Sequence, residues 1–523
     1  MRLGYPKRSR QSDKVKVQVV LSSELQKNLQ NINNELQYCA DLITREFEVG
    51  ETKKRKMALI HLQGISNGDM ISQFVVDPIL HKWKNSNVDN LSDLNFFNEL
   101  KDNTFDVPQV KTETEWNNIM MSLLNGDTAI FLDHQQKVLL IDTKGGQFRS
   151  VSESTGQTII RGPKDSFTES IATNMSLLRY RIRNKQFKME MLKVGDITNT
   201  NVVISYLEDK VDKELLHSIK EKVENIKING VLETIYIESL IETKPYSPFP
   251  TVLDTERPDV IAANLLEGRI GLLVDGSPIG LILPATLPMF FQSPDDYNQR
   301  YIVGTSLRLL RSVAFFISLL FSACFLALIT HHPSMIPTPL MVSLAAQREG
   351  VPFPAIVELL LLEFAFEIIR EASIRSPRVL ASTVAIVGAL VIGQAVVQAG
   401  IVSTAMIIVV SITGISSFTI PNYSVAASAR LVRYLFIISA GVAGLYGIAL
   451  MFLFWLVHLN TIDSFGVPYL MPLSPLSIKD NEDTFIHIPK RLLKTEKKDV
   501  VPDSSRIRKK QKNKMGEENE SNT

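Results

Sequence analysis

The chain has 523 residues, with 56 Lys and Arg against 55 Asp and Glu, so its formal net charge at pH 7 is +1. That balance argues against a general nucleic-acid-binding surface, and the length argues against a single domain. The sequence is mixed and charged up to about residue 300, whereas 312–459 contains long uncharged apolar runs. It predicts a multi-domain protein: an α/β amino-terminal domain with two subdomains, followed by an all-α polytopic membrane domain.

Five regions are expected along the chain. They are a basic, disordered or linker start at 1–30, an α/β subdomain at 31–150, a second at 151–300, a transmembrane helical domain at 301–460 and a polar tail at 461–523. No apolar segment follows the basic start, so no cleavable signal peptide is visible and the α/β part is expected to stay in the cytoplasm. Cys39 and Cys324 are expected to be packing residues, not a disulfide or a metal site.

The amino-terminal half has mixed strand and helix patterns. MALIHLQGI predicts a strand leading into a Ser-Asn-Gly turn, and TAIFLDHQQKVLLIDTKG resembles a hairpin. SSELQKNLQNINNELQ and VDKELLHSIKEKVENI have helical periodicity. GRIGLLVDGSPIGLILP predicts two short strands around a turn at Asp275-Gly276-Ser277-Pro278, because Gly and Pro interrupt an apolar alternation that otherwise looks like a membrane span.

Two polar stretches have competing interpretations. Arg161, Gly162 and Lys164 precede a helix-like stretch and are compatible with phosphate binding at a helix amino terminus, but a helix capped by Asp165 or Ser166 explains the same residues and is the favoured interpretation.

In the second stretch, TERPDVIAANLLEGR, Thr255 or Asp259 is available as a helix cap. Glu256, Arg257 and Asp259 can form an internal salt-bridge network there. No catalytic motif or metal-binding spacing is present in the sequence, so we expect neither an enzyme nor a cofactor.

Three apolar runs are long enough to cross a bilayer, which needs about 20 helical residues. The second run, 379–420, is about twice the length of one span, so we predict two helices in it that form a hairpin around Gly400. The predicted spans are therefore 312–330, 379–398, 401–420 and 434–459. Arg308 and Arg311 place the start of the first span on the cytoplasmic side. Trp455 is expected near the far membrane boundary of the last span.

The segment VELLLLEFAFEIIREA carries acids on an apolar helix, predicted at 353–371 and opened by Pro352 and Pro354. At 100° per residue, Glu363, Glu367, Arg370 and Glu371 share one stripe, while Glu358 lies on another face. The alternatives are an amphipathic helix at the membrane surface, a helix lining an aqueous path with Glu358, Glu363, Glu367 or Glu371 in the lumen, and an intersubunit ion pair.

The positive charges in the sequence predict two membrane topologies that contradict each other. Arg370, Arg375 and Arg378 favour a cytoplasmic position before 379, which makes the acidic helix a crossing and gives five crossings in all. Five crossings put the tail outside, yet the tail includes RIRKKQKNK, which is typical of a cytoplasmic segment.

Several long motifs together resemble the A subunits of bacterial spore germinant receptors, the GerA family. They are IRGPKDSFTESIATNMSLLRYRIR, SPFPTVLDTERPDVIAANLLEGRIGLLVDGSPIGLILP, SPDDYNQR, VPFPAIVELLLLEFAFEIIREASIRSPR and FGVPYLMPLSP, in that order between about residues 50 and 480. The candidate motif residues are Arg161, Gly162, Pro163, Glu169, Asn174, Glu256, Arg257, Pro258, Asp259, Glu267, Gly268, Asp275, Gly276, Pro278, Asp296, Tyr297, Pro352 and Pro354.

The resemblance implies a multi-pass protein of the spore inner membrane that is not an enzyme and acts with a permease-like B subunit and a lipoprotein C subunit. It also implies a homo-oligomer in contact with membrane lipid that forms a cation-conducting channel and triggers germination. The alternatives are a non-conducting scaffold or nutrient-binding subunit, the related A-like protein that amplifies germination, and a solute transporter.

Overall fold

The structure is a computed structural model that describes residues 20–50, 54–84, 92–107, 109–145, 156–157, 159–375, 377, 386, 388 and 391–474. The basic start before residue 20, most of the first half of the predicted span 379–398 and the tail after 474 lie outside the described residues. The described part comprises two α/β units followed by a bundle of apolar helices.

The first α/β unit is a five-stranded antiparallel sheet between two helical layers. Its strands are β1 (Leu42–Val49), β2 (Arg55–Leu62), β3 (Val110–Glu113), β4 (Thr128–Leu132) and β5 (Val138–Ile141), in the order β1-β2-β4-β5-β3. One face packs on α1 (Leu25–Glu35) and α5 (Trp116–Leu124). The other packs on α2 (Gly68–Ile71), a π-helical turn (Ser72–Val76), α3 (Asp77–Lys84) and α4 (Asp93–Asn103). Because β2 is covered on both faces, its residues 57–60 are all buried.

The second α/β unit repeats this arrangement. Its strands are β6 (Phe187–Val194), β7 (Thr200–Leu207), β8 (Leu253–Thr255), β9 (Ile270–Val274) and β10 (Gly280–Leu283), in the order β6-β7-β9-β10-β8. Helices α6 (Ile171–Arg181) and α9 (Pro258–Leu266) cover one face, and α7 (Lys213–Glu224) and α8 (Thr234–Ile241) cover the other. Strand order and helix placement match the first unit position by position.

The predicted strands and hairpins are confirmed. MALIHL lies in β2, the β4–β5 hairpin turns between 132 and 138, and GRIGLLVDGSPIGLILP forms the β9–β10 hairpin. Gly276 lies in its turn with φ +86°, a conformation that glycine adopts without strain. The two helices predicted by periodicity are α1 and α7.

The carboxyl-terminal part is a helical bundle. Its helices are α10 (Pro294–Asn298), α11 (Tyr301–Thr330), α12 (Thr338–Arg348), α13 (Ala355–Arg375), α14 (Val396–Gln398, after a π-helical turn at Val391–Ala395), α15 (Thr404–Ser417) and α16 (Tyr423–Thr461). Strands β11 (Asp463–Ser464) and β12 (Val467–Pro468) follow. Two of the described helices, α11 and α16, are long and apolar enough to cross a membrane.

The long helix α16 is two antiparallel arms. Ala443 and Gly444 have non-helical backbone angles, and Gly444 has φ +58° and ψ −141°. The first arm begins beside the second α/β unit, where the amide of Asn422 donates to Asp254 at 2.8 Å. The break lies against the end of α11, where the Leu445 N–H donates to Nε2 of His332 at 3.4 Å. The second arm therefore runs back toward the α/β unit.

The end of the second arm confirms this reversal. The ring of Trp455 lies 6.3 Å from that of Phe249 in the second α/β unit and 6.2 Å from that of Phe315 near the start of α11. The predictions of one unbroken span at 434–459 and of Trp455 near the far boundary are therefore wrong. Small side chains allow the arms to pack closely, and hydropathy alone does not reveal that a Gly-rich apolar run reverses direction.

The other predicted helices are longer or shorter than expected. α11 contains the span 312–330 and starts at residue 301, the acidic helix runs from 355 to 375, and α15 occupies 404–417 of the span 401–420. We call the end of the bundle at Asn422 and Trp455 the near end and the end at His332 and Gly444 the far end.

Substituting Gly447 tests the hairpin. A Cβ at Gly447 would lie 2.1 Å from the main-chain oxygen of Ser439 on the opposite arm, which rigid backbone cannot accommodate. We expect Gly447→Ala to lower the free energy of unfolding by about 1–3 kcal/mol through this overpacking. The measurement is thermal unfolding of the purified full-length protein. Gly393→Ala is the matched control because a Cβ there meets no atom of the described residues within 4 Å. Equal stability of both variants would contradict the hairpin.

Candidate functional site

Charged side chains inside the apolar bundle form the candidate site. Of the four acids on α13, Glu358 is fully buried and Glu363 is 2% exposed, whereas Glu367 is partly exposed and Glu371 is exposed. A buried carboxylate costs several kcal/mol unless it is paired and hydrogen-bonded. The partners of these acids therefore show how the bundle is assembled.

Glu363 joins four helices. Its carboxylate accepts a hydrogen bond from the Ser322 hydroxyl of α11 at 3.0 Å and pairs with Nη1 of Arg433 on α16 at 3.1 Å. The Ser322 hydroxyl also lies 2.9 Å from that of Thr413 on α15. Arg433 is itself 2% exposed. The group is thus a buried ion pair to which the Ser322 and Thr413 hydroxyls are hydrogen-bonded in series. Its members come from α11, α13, α15 and α16.

Glu358 forms a second group at the far end. The N–H and hydroxyl of Ser403, the residue before α15, donate to its Oε1 at 2.6 and 2.5 Å. Its Oε2 lies 3.7 Å from Nε of Arg348, the last residue of α12. Glu358 thus holds the start of α15 and the end of α12 against α13.

The third group lies toward the near end. Glu367 pairs with Arg370 on its own helix and lies 3.8 Å from Nε of Arg430 on α16. Arg370 and Arg430 are 6% and 8% exposed, so arginines outnumber the acids here. Glu371 pairs with exposed Arg375 at 2.6 Å.

These contacts locate the acids that the sequence singled out. Glu363 and Glu367 face α16, and Glu358 faces other helices, as its position on a separate face indicated. Within the described part of the chain, both buried acids have partners in the same chain. The sequence analysis assigned no role to Arg430 and Arg433. Their spacing of three residues, which places them on one face of the apolar helix, is the signal that could have identified them.

A second set of charges lies where the second α/β unit meets the bundle. Asp296 of α10 is fully buried, and its carboxylate pairs with Arg308 at 3.1 Å and with Arg311 at 2.8 Å. The Arg308 guanidinium also lies 4.9 Å from the ring centre of Tyr297. These arginines, read from the sequence as cytoplasmic flanking charges, fix α11 to α10.

The motif around Arg257 supports the same junction. Arg257 is 1% exposed and is the residue before α9. Its Nη2 donates to the Pro163 carbonyl at 2.9 Å and pairs with Asp259 at 2.6 Å, so the Arg257–Asp259 part of the expected salt-bridge network is present. Neither Thr255 nor Asp259 is the cap: Pro258 opens α9, and the Thr255 hydroxyl accepts from the Arg257 N–H instead.

The stretch before α6 is a structured loop. Helix α6 is capped by Ser170, not by Asp165 or Ser166, and the Asp165 carboxylate instead pairs with Arg181. The buried Asn174 amide closes the loop by accepting from the Thr168 N–H at 2.8 Å and donating to its carbonyl at 2.6 Å. Arg161 is exposed.

The remaining motif residues shape turns and helix ends. Gly162 lies against the Asn298 side chain. The Glu256 carboxylate accepts a hydrogen bond from the Gly156 N–H. The main-chain carbonyl of Glu169 accepts one from the Gly276 N–H. Asp275 accepts from the Ile171 N–H, with Gly276 and Pro278 completing its turn, and Glu267 with Gly268 ends α9. The Pro354 carbonyl starts α13 two residues after Pro352.

Three acids without basic partners lie beside the junction. Glu238 and Glu242 are on α8, and Asp254 is on β8. Burial, helped by repulsion from Asp254 and Glu242, raises the pKa of Glu238 to about 8. None of the three forms an ion pair among the described residues. Among the described residues, no basic side chain pairs with the acids at this corner of the protein.

Comparison with known proteins places these features in a family. A family model described as Bacillus/Clostridium GerA spore germination protein matches residues 30–499. The chain is 43% identical over 471 residues to spore germination protein KA of Bacillus subtilis, covering 90% of this chain and 86% of that protein. It is 34% identical over 492 residues to spore germination protein GerLA of Bacillus cereus, covering 94% and 99%.

A solved structure is also similar. The crystal structure of the N-terminal domain of the A subunit of the Bacillus megaterium spore germinant receptor GerK3 is 31% identical and aligns with a TM-score of 0.41, covering 52% of this chain and 99% of that one.

The Glu238 carboxyl makes stability depend on pH. Because its folded-state pKa lies above the unfolded value of 4.5, the folded state binds the proton more tightly, and stability falls as pH rises from about 4.5 to 8. We expect Glu238→Gln to match wild type near pH 5 and to be more stable by about 1–2 kcal/mol above pH 8. Thermal unfolding of the full-length protein across this range measures the difference.

Glu113→Gln is the control for this prediction. Backbone N–H groups of Glu115 and Thr114 lower the pKa of Glu113, so it titrates below this pH range. Its stability difference from wild type should therefore stay constant from pH 5 to 9. A constant difference for Glu238→Gln as well would show that Glu238 is not held in its protonated form.

Proposed function

Because the chain belongs to the Bacillus/Clostridium GerA family of spore germination proteins, we propose that it is a membrane subunit of a nutrient-responsive germinant receptor whose oligomer forms a cation-conducting channel. The family gives it a role in spore germination and receptor partners. Its assembly with a permease-like B subunit and a lipoprotein C subunit in the spore inner membrane is part of the proposal.

The observation that carries the proposal is the charged seam inside the bundle. Ionisable residues in membrane-spanning helices are costly and mark ion pathways or switches far more often than inert packing. Glu363 and Arg433 come from different helices, so separating these helices exposes one carboxylate and one guanidinium to any water that enters. An oligomer that opens along α13 would present Glu358, Glu363 and Glu367 as a cation-attracting path.

The junction supplies the coupling. Asp296 with Arg311 ties α11 to the second α/β unit, and Asn422 with Asp254 ties the start of α16 to the same unit. A shift of the α/β unit therefore acts on two helices that contribute to the Glu363 group. In this proposal, a signal from the partner subunits moves the α/β unit and weakens the buried pairs.

The α16 hairpin also suggests a topology that satisfies all the basic signals. α11 leads to the far end, α13 and α15 lead back, the first arm of α16 leads out and its second arm returns. A Cβ at Gly400 would lie 3.5 Å from the Gly350 carbonyl before α13, so Arg375 and Gly400 lie at opposite ends of the bundle. We propose that the predicted span 379–398 is the pass that connects them. Six passes place the basic tail on the side of the α/β units, which we propose is the cytoplasm.

Charge-neutral variants test the channel. In planar bilayers containing the purified protein under a potassium gradient, we expect wild type to give a cation-selective current. Removing a lumenal carboxylate lowers the local cation concentration, so at least one of Glu358→Gln, Glu363→Gln and Glu367→Gln should reduce the current by about two- to tenfold. Glu349→Gln, which removes an exposed acid just after α12, should leave it unchanged.

A non-conducting scaffold is the second candidate. Glu358 and Glu363 already pair with arginines of the same chain, so these acids can be explained by packing alone. A folded, oligomeric wild-type preparation that never conducts, with or without partner subunits, would favour the scaffold. Unchanged current in all three α13 variants would show that these acids do not line the ion path.

Cysteine labelling tests the topology. The native cysteines, Cys39 and Cys324, are first replaced, and one cysteine is then introduced per variant. Met335 at the far end and Asn460 at the near end are suitable positions because both side chains are exposed. In intact cells a membrane-impermeant maleimide should label Met335→Cys, whereas Asn460→Cys should react only after permeabilisation, like Lys193→Cys in the second α/β unit. Labelling of Asn460→Cys from outside would exclude the sixth pass.

A further inference from the structure

A cavity of about 620 Å³ lies where the second α/β unit meets the bundle. One wall consists of Leu253 and Asp254 of β8 with Val260 and Ala263 of α9. The opposite wall is the turn 418–422 between α15 and α16, together with Arg311 of α11. The volume is within the range of small-molecule sites, which lie preferentially between domains.

The charges on these walls favour a cation. Both lining arginines already have acidic partners, Arg257 with Asp259 at 2.6 Å and Arg311 with Asp296 at 2.8 Å. Among the described residues, the side-chain partner of the Asp254 carboxylate is neutral, the Asn422 amide. Nearby Glu238, which does not line the cavity, has its pKa raised first by burial and then by repulsion from Asp254 and Glu242, so the charge of Asp254 acts beyond the cavity wall.

The rest of the lining is partly apolar. Leu253, Val260, Phe290 and Ile420 contribute aliphatic and aromatic surface. An occupant that satisfies both parts has a compact positive head and an apolar portion. A bare metal ion fits less well, because among the described residues no group of three potential ligands is close enough to hold one.

We propose that this cavity binds a small organic cation, a primary or quaternary amine with an apolar group, whose nitrogen pairs with Asp254. Such a ligand contacts the α/β unit and the bundle together, so it stabilises their docked arrangement by mass action. The inference goes beyond the proposed channel, because binding to the purified protein is independent of whether the protein conducts.

Isothermal titration of the full-length protein in detergent with benzylamine and with tetramethylammonium chloride tests the site. We expect saturable binding of at least one cation to wild type and weaker or no binding of benzyl alcohol, the neutral analogue of benzylamine. Loss of the charge-assisted contact in Asp254→Asn should weaken binding by about tenfold or more. Ala263→Phe should abolish it by filling the cavity from an exposed position of α9.

Two controls separate the site from general effects. Glu113→Gln removes a distant acid and should bind like wild type, and the unfolding temperature of each variant shows that it is folded. Absence of saturable binding by either cation, equal binding of benzyl alcohol, or binding unchanged in both Asp254→Asn and Ala263→Phe would overturn the proposal.

Discussion

Charges buried in an apolar bundle must be paired, and this requirement organises the carboxyl-terminal half of the protein. Glu363 and Arg433 lie on different helices, and each would be left as an uncompensated buried charge if the helices separated. Breaking such a pair costs about 3–5 kcal/mol, whereas replacing both partners by apolar groups is often neutral. The pair therefore specifies the helix arrangement more than it adds stability, and it gives the bundle a discrete point at which it can open.

The junction extends this arrangement into the α/β part. Besides the contacts of α11 and α16, the segment after α16 also docks on the second unit: the Ser464 hydroxyl donates to the Thr251 carbonyl at 2.7 Å, and the Leu287 N–H donates to the Tyr469 carbonyl at 2.8 Å. Apolar residues of α6, α9 and the bundle helices form one continuous core. Because the bundle is held at several points by one rigid sheet, movement of that sheet acts on several helices together.

Sequence reasoning succeeded where local pattern decides structure. Alternation and turn residues identified the β9–β10 hairpin, and an apolar helix carrying acids identified α13. It failed at the caps of α6 and α9, because several polar residues compete within a few positions and only tertiary contacts choose among them. Asp165 pairs with Arg181, which left Ser170 as the cap. It also missed Arg430 and Arg433 as partners of the α13 acids, because they lie about 70 residues away in the chain.

The sequence by itself determined the division into α/β units and an apolar half, the family, and the presence of acids on one helix, because these follow from composition, periodicity and motif order. Only the tertiary structure decided that the last apolar run is a hairpin and that the buried acids pair within the chain. A glycine with φ +58° and the close approach of its two arms depend on distant neighbours such as His332. Hydropathy records how apolar a segment is, not the direction in which it runs.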